Sequence, residues 1–252
     1  GVPVTQRRLE GRRMVVTGAA SGIGLAIARL FAEHGAAVAG LDADAARLGE
    51  QWKQGAAFAA DVTDEESVRT AIDAAAQALG GLDGVVNAAG ISLKKPFAAI
   101  SATEWRRVLA VNLDGPFLVC HAALRHLKAA GGGTIVNIAS GAGLRPIPEF
   151  SAYCASKGGL VLFSKALAID LASDHVRVNV VCPGPIQTPM IDRRLAVSPD
   201  REAAVAAFMR GRLIPRFGEV GEIADATLFL SSGESSYITG TALSVDGGST
   251  FH

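Results

Sequence analysis

Apolar residues run along this chain in two rhythms. One is short and continuous: RMVVTG at about 12–18, AAVAGLD at 36–42, AAFAAD at 56–61, LDGVVNAAG at 82–90, GTIVNIAS at 133–140, VRVNVVCPG at 176–184 and ALSVDGG at 242–248. Such runs predict strands buried on both faces. The other rhythm repeats at helical spacing in longer stretches such as IGLAIARLFAEHG and SVRTAIDAAAQALGG. Seven strands separated mainly by helices predict an α/β fold, a doubly wound seven-stranded parallel sheet with helices on both faces. No Pro- or Ser-rich linker and no internal repeat interrupts the alternation, so residues 1–252 read as one domain. The stretch at about 188–217 stands apart, with prolines at both ends and helical periodicity between them. It follows a strand end, where doubly wound folds bind ligands, and is expected to act as a lid.

Composition narrows the picture. Hydrophobic residues make up 49% of the chain and charged residues 19%, with 29 glycines. That balance fits a large core threaded by tight turns and argues against disorder. The 24 basic and 24 acidic residues cancel, with no basic tract, which argues against a nucleic-acid surface. Cys120, Cys154 and Cys182 are odd in number and widely spaced, and read as reduced thiols. The histidines lack metal-ligand spacing, so no metal site is expected. The start carries no long apolar region, and no run of about 18 apolar residues follows, so a cytoplasmic protein without a membrane span is expected.

Chemistry first shows in TGAASGIGLAIA, directly after the first strand. Gly18, Gly22 and Gly24, with Ser21 and Ile23 among them, make a strand–turn–helix junction. Its unpaired backbone N–H groups and the positive helix end would face a phosphate, and the missing side chains let it come close. Asp42 closes the second strand, where an acid accepts hydrogen bonds from an adenosine ribose and repels a 2′-phosphate. No Arg or Lys occupies residues 39–46 or the glycine turn, so NAD rather than NADP is the expected cofactor. Asp42 is also able to serve as the N-cap of the helix that follows. Asp61 and Val62 end the third strand, with Asp61 able to accept from an adenine amino group. Asn87, Ala88 and Gly90 end the fourth, where small residues leave room for a cofactor; Asn, Asp and Gly are ordinary strand terminators as well.

SAYCASK opens a long helical stretch and sets Tyr153 and Lys157 four residues apart, on one helix face. A phenol must lose roughly three units from its pKa of about 10 to act as a base near neutrality. One ammonium at roughly 4 Å, in an effective dielectric of about 20, supplies the ~4 kcal/mol required. Ser140 ends the fifth strand at the same sheet edge, where its hydroxyl can hold a substrate oxygen. Asn112 stands among apolar neighbours in LAVNLDGPF. It reads either as a locally satisfied residue that kinks a helix or as a link in a proton relay through water.

With TGAASGIG, Asp61–Val62, NAAG at Asn87, Asn112, Ser140, YCASK and PGPIQT in this order, the chain resembles the short-chain dehydrogenase/reductase family over nearly its whole length. The resemblance implies a Rossmann-like, NAD(P)-dependent oxidoreductase. Tyr153 would be the acid/base and Ser140 would polarise the substrate oxygen. Lys157 would hold the nicotinamide ribose and lower the phenol's pKa, with Asn112 supporting a water relay. Ile186 and Thr188 would contact the nicotinamide amide, in a segment beginning with Pro183 and Gly184, and Val62 would flank the adenine. The chain has NAAG where the family often has NNAG. The resemblance also implies a homotetramer packing the SAYCASK helix against its symmetry mate, with Ala155, Gly158 and Gly159 either allowing close approach or serving internal packing. The substrate is less legible. Lys94, Phe97, Arg145, Glu149 and the lid are expected to line its pocket. Arg193, Arg194, Arg201, Arg210, Arg212 and Arg216 would either attract an anion or pair with Asp192, Asp200 and Glu202 on a solvated face. A dehydrogenase of secondary alcohols, polyols or sugars leads; a 3-oxoacyl thioester reductase and a cofactor-binding protein without turnover follow.

Overall fold

The seven apolar runs become seven strands: β1 (Arg13–Thr17), β2 (Ala37–Asp42), β3 (Ala56–Ala59), β4 (Gly84–Asn87), β5 (Gly133–Ile138), β6 (Val176–Pro183) and β7 (Ala242–Val245). The computed structural model describes residues 7–196 and 200–250. The strands form one parallel sheet in the order β3-β2-β1-β4-β5-β6-β7. Neighbouring residues on the central strands face opposite ways. Val15, Val85 and Ile135 enter one buried cluster while Val16, Val86 and Val136 enter another, as the pleat requires. Helices α3 (Glu65–Leu79) and α5 (Gly115–Ala129) close the first cluster through Ile72, Ala75, Val119 and Ala123. Helices α1 (Gly22–Glu33) and α9 (Val220–Ser231) close the second through Ile27, Phe31, Ile223 and Leu228. Burial of both faces is the reason the central runs show no polar alternation.

From β1 the chain winds outward through β2 and β3, then returns to β4 on the other side of β1. The loops leaving β1 and β4 therefore diverge, and a crevice opens at their carboxyl ends. One hydroxyl ties the two loops together at its base: Thr17 Oγ1 accepts from the Ala88 and Ala89 N–H groups at 3.1 and 3.2 Å.

Helix α2 (Ala45–Gln51) follows β2, and α4 (Ala102–Leu109) runs into a π-helical turn at Ala110–Asp114 before α5. The run Ala102–Ala129 has the length and apolar composition to cross a membrane, which the apolar pattern had not indicated. Here it is a core element: Val119, Cys120, Ala123 and Leu127 are buried against the sheet. Helix α6 (Ser151–Asp170) follows β5, and the segment expected to act as a lid holds α7 (Pro189–Ala196) and α8 (Arg201–Met209).

A concavity of about 350 Å³ lies at the amino edge of the sheet, the end away from these loops, lined by Arg12, Asp83, Thr134 and Arg177 among others. Its arginines are structural. Arg177 donates to the carbonyls of Leu230, Ser232 and Ile238 at 3.0–3.1 Å, neutralising the carboxyl end of α9. Arg12 donates to the Asp83 carbonyl and the Thr134 hydroxyl.

Candidate active site

The glycine turn is shaped by backbone that only glycine permits. Gly18 (φ 70°) and Gly22 (φ 54°) lie in the left-handed region. A Cβ on Gly18 would stand 2.8 Å from Ala89 N, and one on Gly24 would stand 2.2 Å from Gly18 O. Helix α1 begins here with no side-chain cap from Ser21 and no acid in its first turn, so its leading N–H groups are left for a ligand. Thr188 closes the far side, its side chain within 3.8 Å of a Cβ built on Gly22. A cradle that any side chain would fill, facing uncapped amides, fits the phosphates of a dinucleotide.

Asp42, at the end of β2, is fastened to that turn. Its Oδ2 accepts from Ala20 N at 3.1 Å and its Oδ1 from Asp44 N at 3.0 Å. The N-cap of α2 is instead Asp44, which accepts from Arg47 N at 3.0 Å. Asp61 folds onto Thr63, whose N–H and hydroxyl reach Oδ1 at 2.9 and 2.7 Å. The Thr63 amide, then its hydroxyl, holds the Asp61 carboxyl below its usual range. Val62 is buried against Gly115.

Not every expected cofactor contact faces the crevice. The Asn87 side chain turns inward, donating to Asn137 Oδ1 at 2.8 Å and to Cys120 Sγ at 3.4 Å, while its own Oδ1 is buried without a partner. It braces β4 against β5, and the small residues Ala88 to Gly90 make the crevice wall. On the other wall, Gly184 follows Pro183 where a Cβ would meet Asp246 Cα at 2.8 Å. Ile186 is buried and pairs with Gly218.

The four side chains expected to carry the reaction come from three places. Ser140 lies just past β5, its Oγ accepting from Ala142 N at 3.1 Å. Tyr153 and Lys157 share one face of α6, and Asn112 is carried by the π-helical turn. Ser140 is hydrogen-bonded to the Tyr153 phenol, and the Phe150 ring meets Tyr153 edge-on at 6.0 Å. Lys157 is buried, and its Nζ donates to the Ile138 carbonyl at 2.8 Å. A Cβ on Gly90 would lie 3.5 Å from Lys157 Nζ and 3.3 Å from Asn112 Oδ1, so the fourth-strand loop and the tetrad share one corner.

The electrostatics differ from the spacing argument. Burial is the main cause that pushes the Tyr153 phenol above its ordinary pKa; the Ser140 hydrogen bond pulls the other way but does not prevail. Burial also lowers the Lys157 ammonium to about 8. Without a cofactor, desolvation outweighs the attraction expected between the pair.

At the mouth, Lys94 pairs with Glu149 at 3.2 Å and Lys95 with Glu104 at 2.8 Å. Arg145 donates to the Ser249 carbonyl at 2.9 Å. Phe97, Leu144 and Ile147 are exposed beside them. Arg216 pairs with Glu222, not with the acids of the lid, and the side chains of Arg193 and Arg194 lie outside the described residues. Gly158 and Gly159 pack internally, against Gly143 and Leu113. Thr17 was missed in the sequence; its only sign there is its position before Gly18. Among the described residues no three His, Cys, Asp or Glu side chains cluster as metal ligands.

Known proteins resemble the chain over nearly its whole length. A family model described as enoyl-(acyl carrier protein) reductase matches residues 18–250. The D-threitol dehydrogenase of Mycolicibacterium smegmatis is 41% identical over 252 residues, covering 96% of this chain and 94% of that one. The 3-oxoacyl-[acyl-carrier-protein] reductase of Thermotoga maritima is 36% identical, covering 96% and 98%. The ligand-free aldohexose dehydrogenase of Thermoplasma acidophilum superposes with a TM-score of 0.90 at 32% identity, over 97% and 96% of the two chains.

Proposed function

The chain belongs to the short-chain dehydrogenase/reductase family, and on that premise we propose that it interconverts a secondary alcohol, polyol or sugar and its ketone with NAD as the hydride carrier. The observation that carries this reading is the hydrogen-bonded Ser140–Tyr153 pair beside buried Lys157, at the corner where the loop after β4 meets α6. A protein that only bound a dinucleotide would have no use for that proton-handling set.

When bound, the nicotinamide supplies the hydride acceptor for the carbinol carbon and, in reverse, the donor. The chain supplies the rest. Gly18 to Gly24 would hold the phosphates, and Asp42 would accept from the ribose with the lone pairs that its bonds from Ala20 N and Asp44 N leave over. Ser140 holds the substrate oxygen, Tyr153 takes its proton and returns it in the reverse direction, and Lys157 places its ammonium where it favours the ionised phenol. The chain acts as one catalytic unit, with α7 and α8 over the substrate. Three unpaired cysteines support a cytoplasmic setting. Leu162 and Ile169, exposed on α6, together with Phe117 on α5, support a homotetramer.

A 3-oxoacyl thioester reductase is the second reading, favoured by the Thermotoga relative. An acidic carrier protein calls for free basic groups at the mouth, whereas Lys94, Lys95 and Arg216 are already paired with Glu149, Glu104 and Glu222. Screening secondary alcohols, polyols, sugars and 3-oxoacyl thioesters for a change in NADH absorbance separates the readings. Turnover of thioesters alone would reverse their order, and no turnover of any class would contradict both.

Cofactor choice has its own test. Asp42→Ala removes the charge that repels a 2′-phosphate, so its kcat/KM ratio for NADP over NAD should rise about tenfold or more. An unchanged ratio would remove Asp42 from the account.

A further inference from the structure

The YCASK motif holds another polar side chain, Ser156, which the reaction as derived leaves unused. It is completely buried in α6. Its hydroxyl donates to the Tyr153 carbonyl at 2.8 Å and accepts from Asn112 Nδ2 at 3.0 Å, across 44 residues of sequence. The rest of the Asn112 amide closes on one residue: Nδ2 also donates to Ile91 O at 2.9 Å, and Oδ1 accepts from Ile91 N at 2.9 Å. Ile91 directly follows Gly90 in the crevice wall. Ser156 thus ties the helix bearing Tyr153 and Lys157 to the π-helical turn through one oxygen, and Asn112 carries the tie on to the loop after β4.

We propose that Ser156 is a positioning residue, a latch that holds Asn112 on Ile91 and so fixes the crevice wall relative to Tyr153 and Lys157. The physical basis is the limited set of partners in a dry interior. With the hydroxyl gone, one Asn112 amide hydrogen has no acceptor in reach and the Tyr153 carbonyl loses a donor, while the π-helical turn keeps only the Ile91 tether. A buried serine bonded only to its own helix would be a local distortion; the second bond, to Asn112, gives it reach. Its kinetic consequence rests on the oxidoreductase reading, but the latch itself does not.

The test uses Ser156→Ala, with Ser156→Cys as a near-isosteric second variant, both checked by thermal melting. Hydrogen exchange at the Ile91 amide should accelerate about tenfold in each. In turnover of the best substrate from the alcohol screen, kcat should fall about tenfold while KM for NAD moves less than about twofold. A double variant with Asn112→Ala should be no slower than Asn112→Ala alone. Unchanged Ile91 exchange overturns the proposal, and so does unchanged kcat in an otherwise active enzyme. If the wild type turns over nothing, the functional reading fails and Ile91 exchange alone decides the latch.

Discussion

Tyr153→Phe should lower kcat by about a hundredfold or more while leaving NADH affinity within about twofold. Only the hydroxyl is removed. The ring keeps its edge contact with Phe150, Ser140 keeps the Ala142 amide, and the glycine cradle is untouched. The loss therefore belongs in the proton transfer and not in binding. Turnover and NADH fluorescence titration on the same preparation give both numbers. A phenylalanine variant with a near-normal rate would refute the assignment of Tyr153 as acid/base.

Gly24→Ala should damage both stability and cofactor binding. The new carbon would sit 2.2 Å from Gly18 O, 2.7 Å from Gly18 C and 3.0 Å from Thr17 O. These are backbone atoms of β1 and its turn, so no side chain can rotate away. The turn itself must shift, at a cost of about 1–3 kcal/mol or more, and the phosphate cradle shifts with it. We expect a lower melting temperature and NADH affinity reduced more than about tenfold. Gly49→Ala is the matched control, because nothing lies within 4 Å of its added Cβ and alanine favours the helix by about 1 kcal/mol. If Gly24→Ala melts and binds like the wild type, the close approach of α1 to the turn is not what shapes the site.

The sheet was legible because its central strands are buried on both faces, which leaves continuous apolar runs between helical stretches. The meeting of Ser140, Tyr153 and Lys157 was legible because their spacing along one helix and at one strand end needs no long-range knowledge. What escaped was set by distant partners. The π-helical turn spans only Ala110–Asp114, too short to alter a periodicity, and its Asn112 is held by residues 21 and 44 positions away. Asn87 resembled a cofactor wall, but the register sets it opposite Asn137, and the side chain turns there instead. Ala155, Gly158 and Gly159 left close helix approach and internal packing both open, and within the chain the two glycines receive Gly143 and Leu113. Phenol acidity in the free chain is set by something spacing does not carry. Spacing fixes how near an ammonium can lie, whereas depth decides the desolvation that opposes it.

That depth leads to the central claim, that Tyr153 becomes a base only when a positively charged cofactor stands beside it. The chain has two tyrosines, so an ultraviolet titration of phenol ionisation, with Tyr153→Phe supplying the Tyr237 background, isolates Tyr153. In the free protein its pKa should lie above the ordinary value of about 10, because burial disfavours the phenolate. The ammonium of Lys157 gives little help there, being lost as pH rises through about 8. Saturation with NAD⁺ should move the Tyr153 titration down in pH, toward neutrality. A Tyr153 titration unmoved or raised by NAD⁺ would contradict the account.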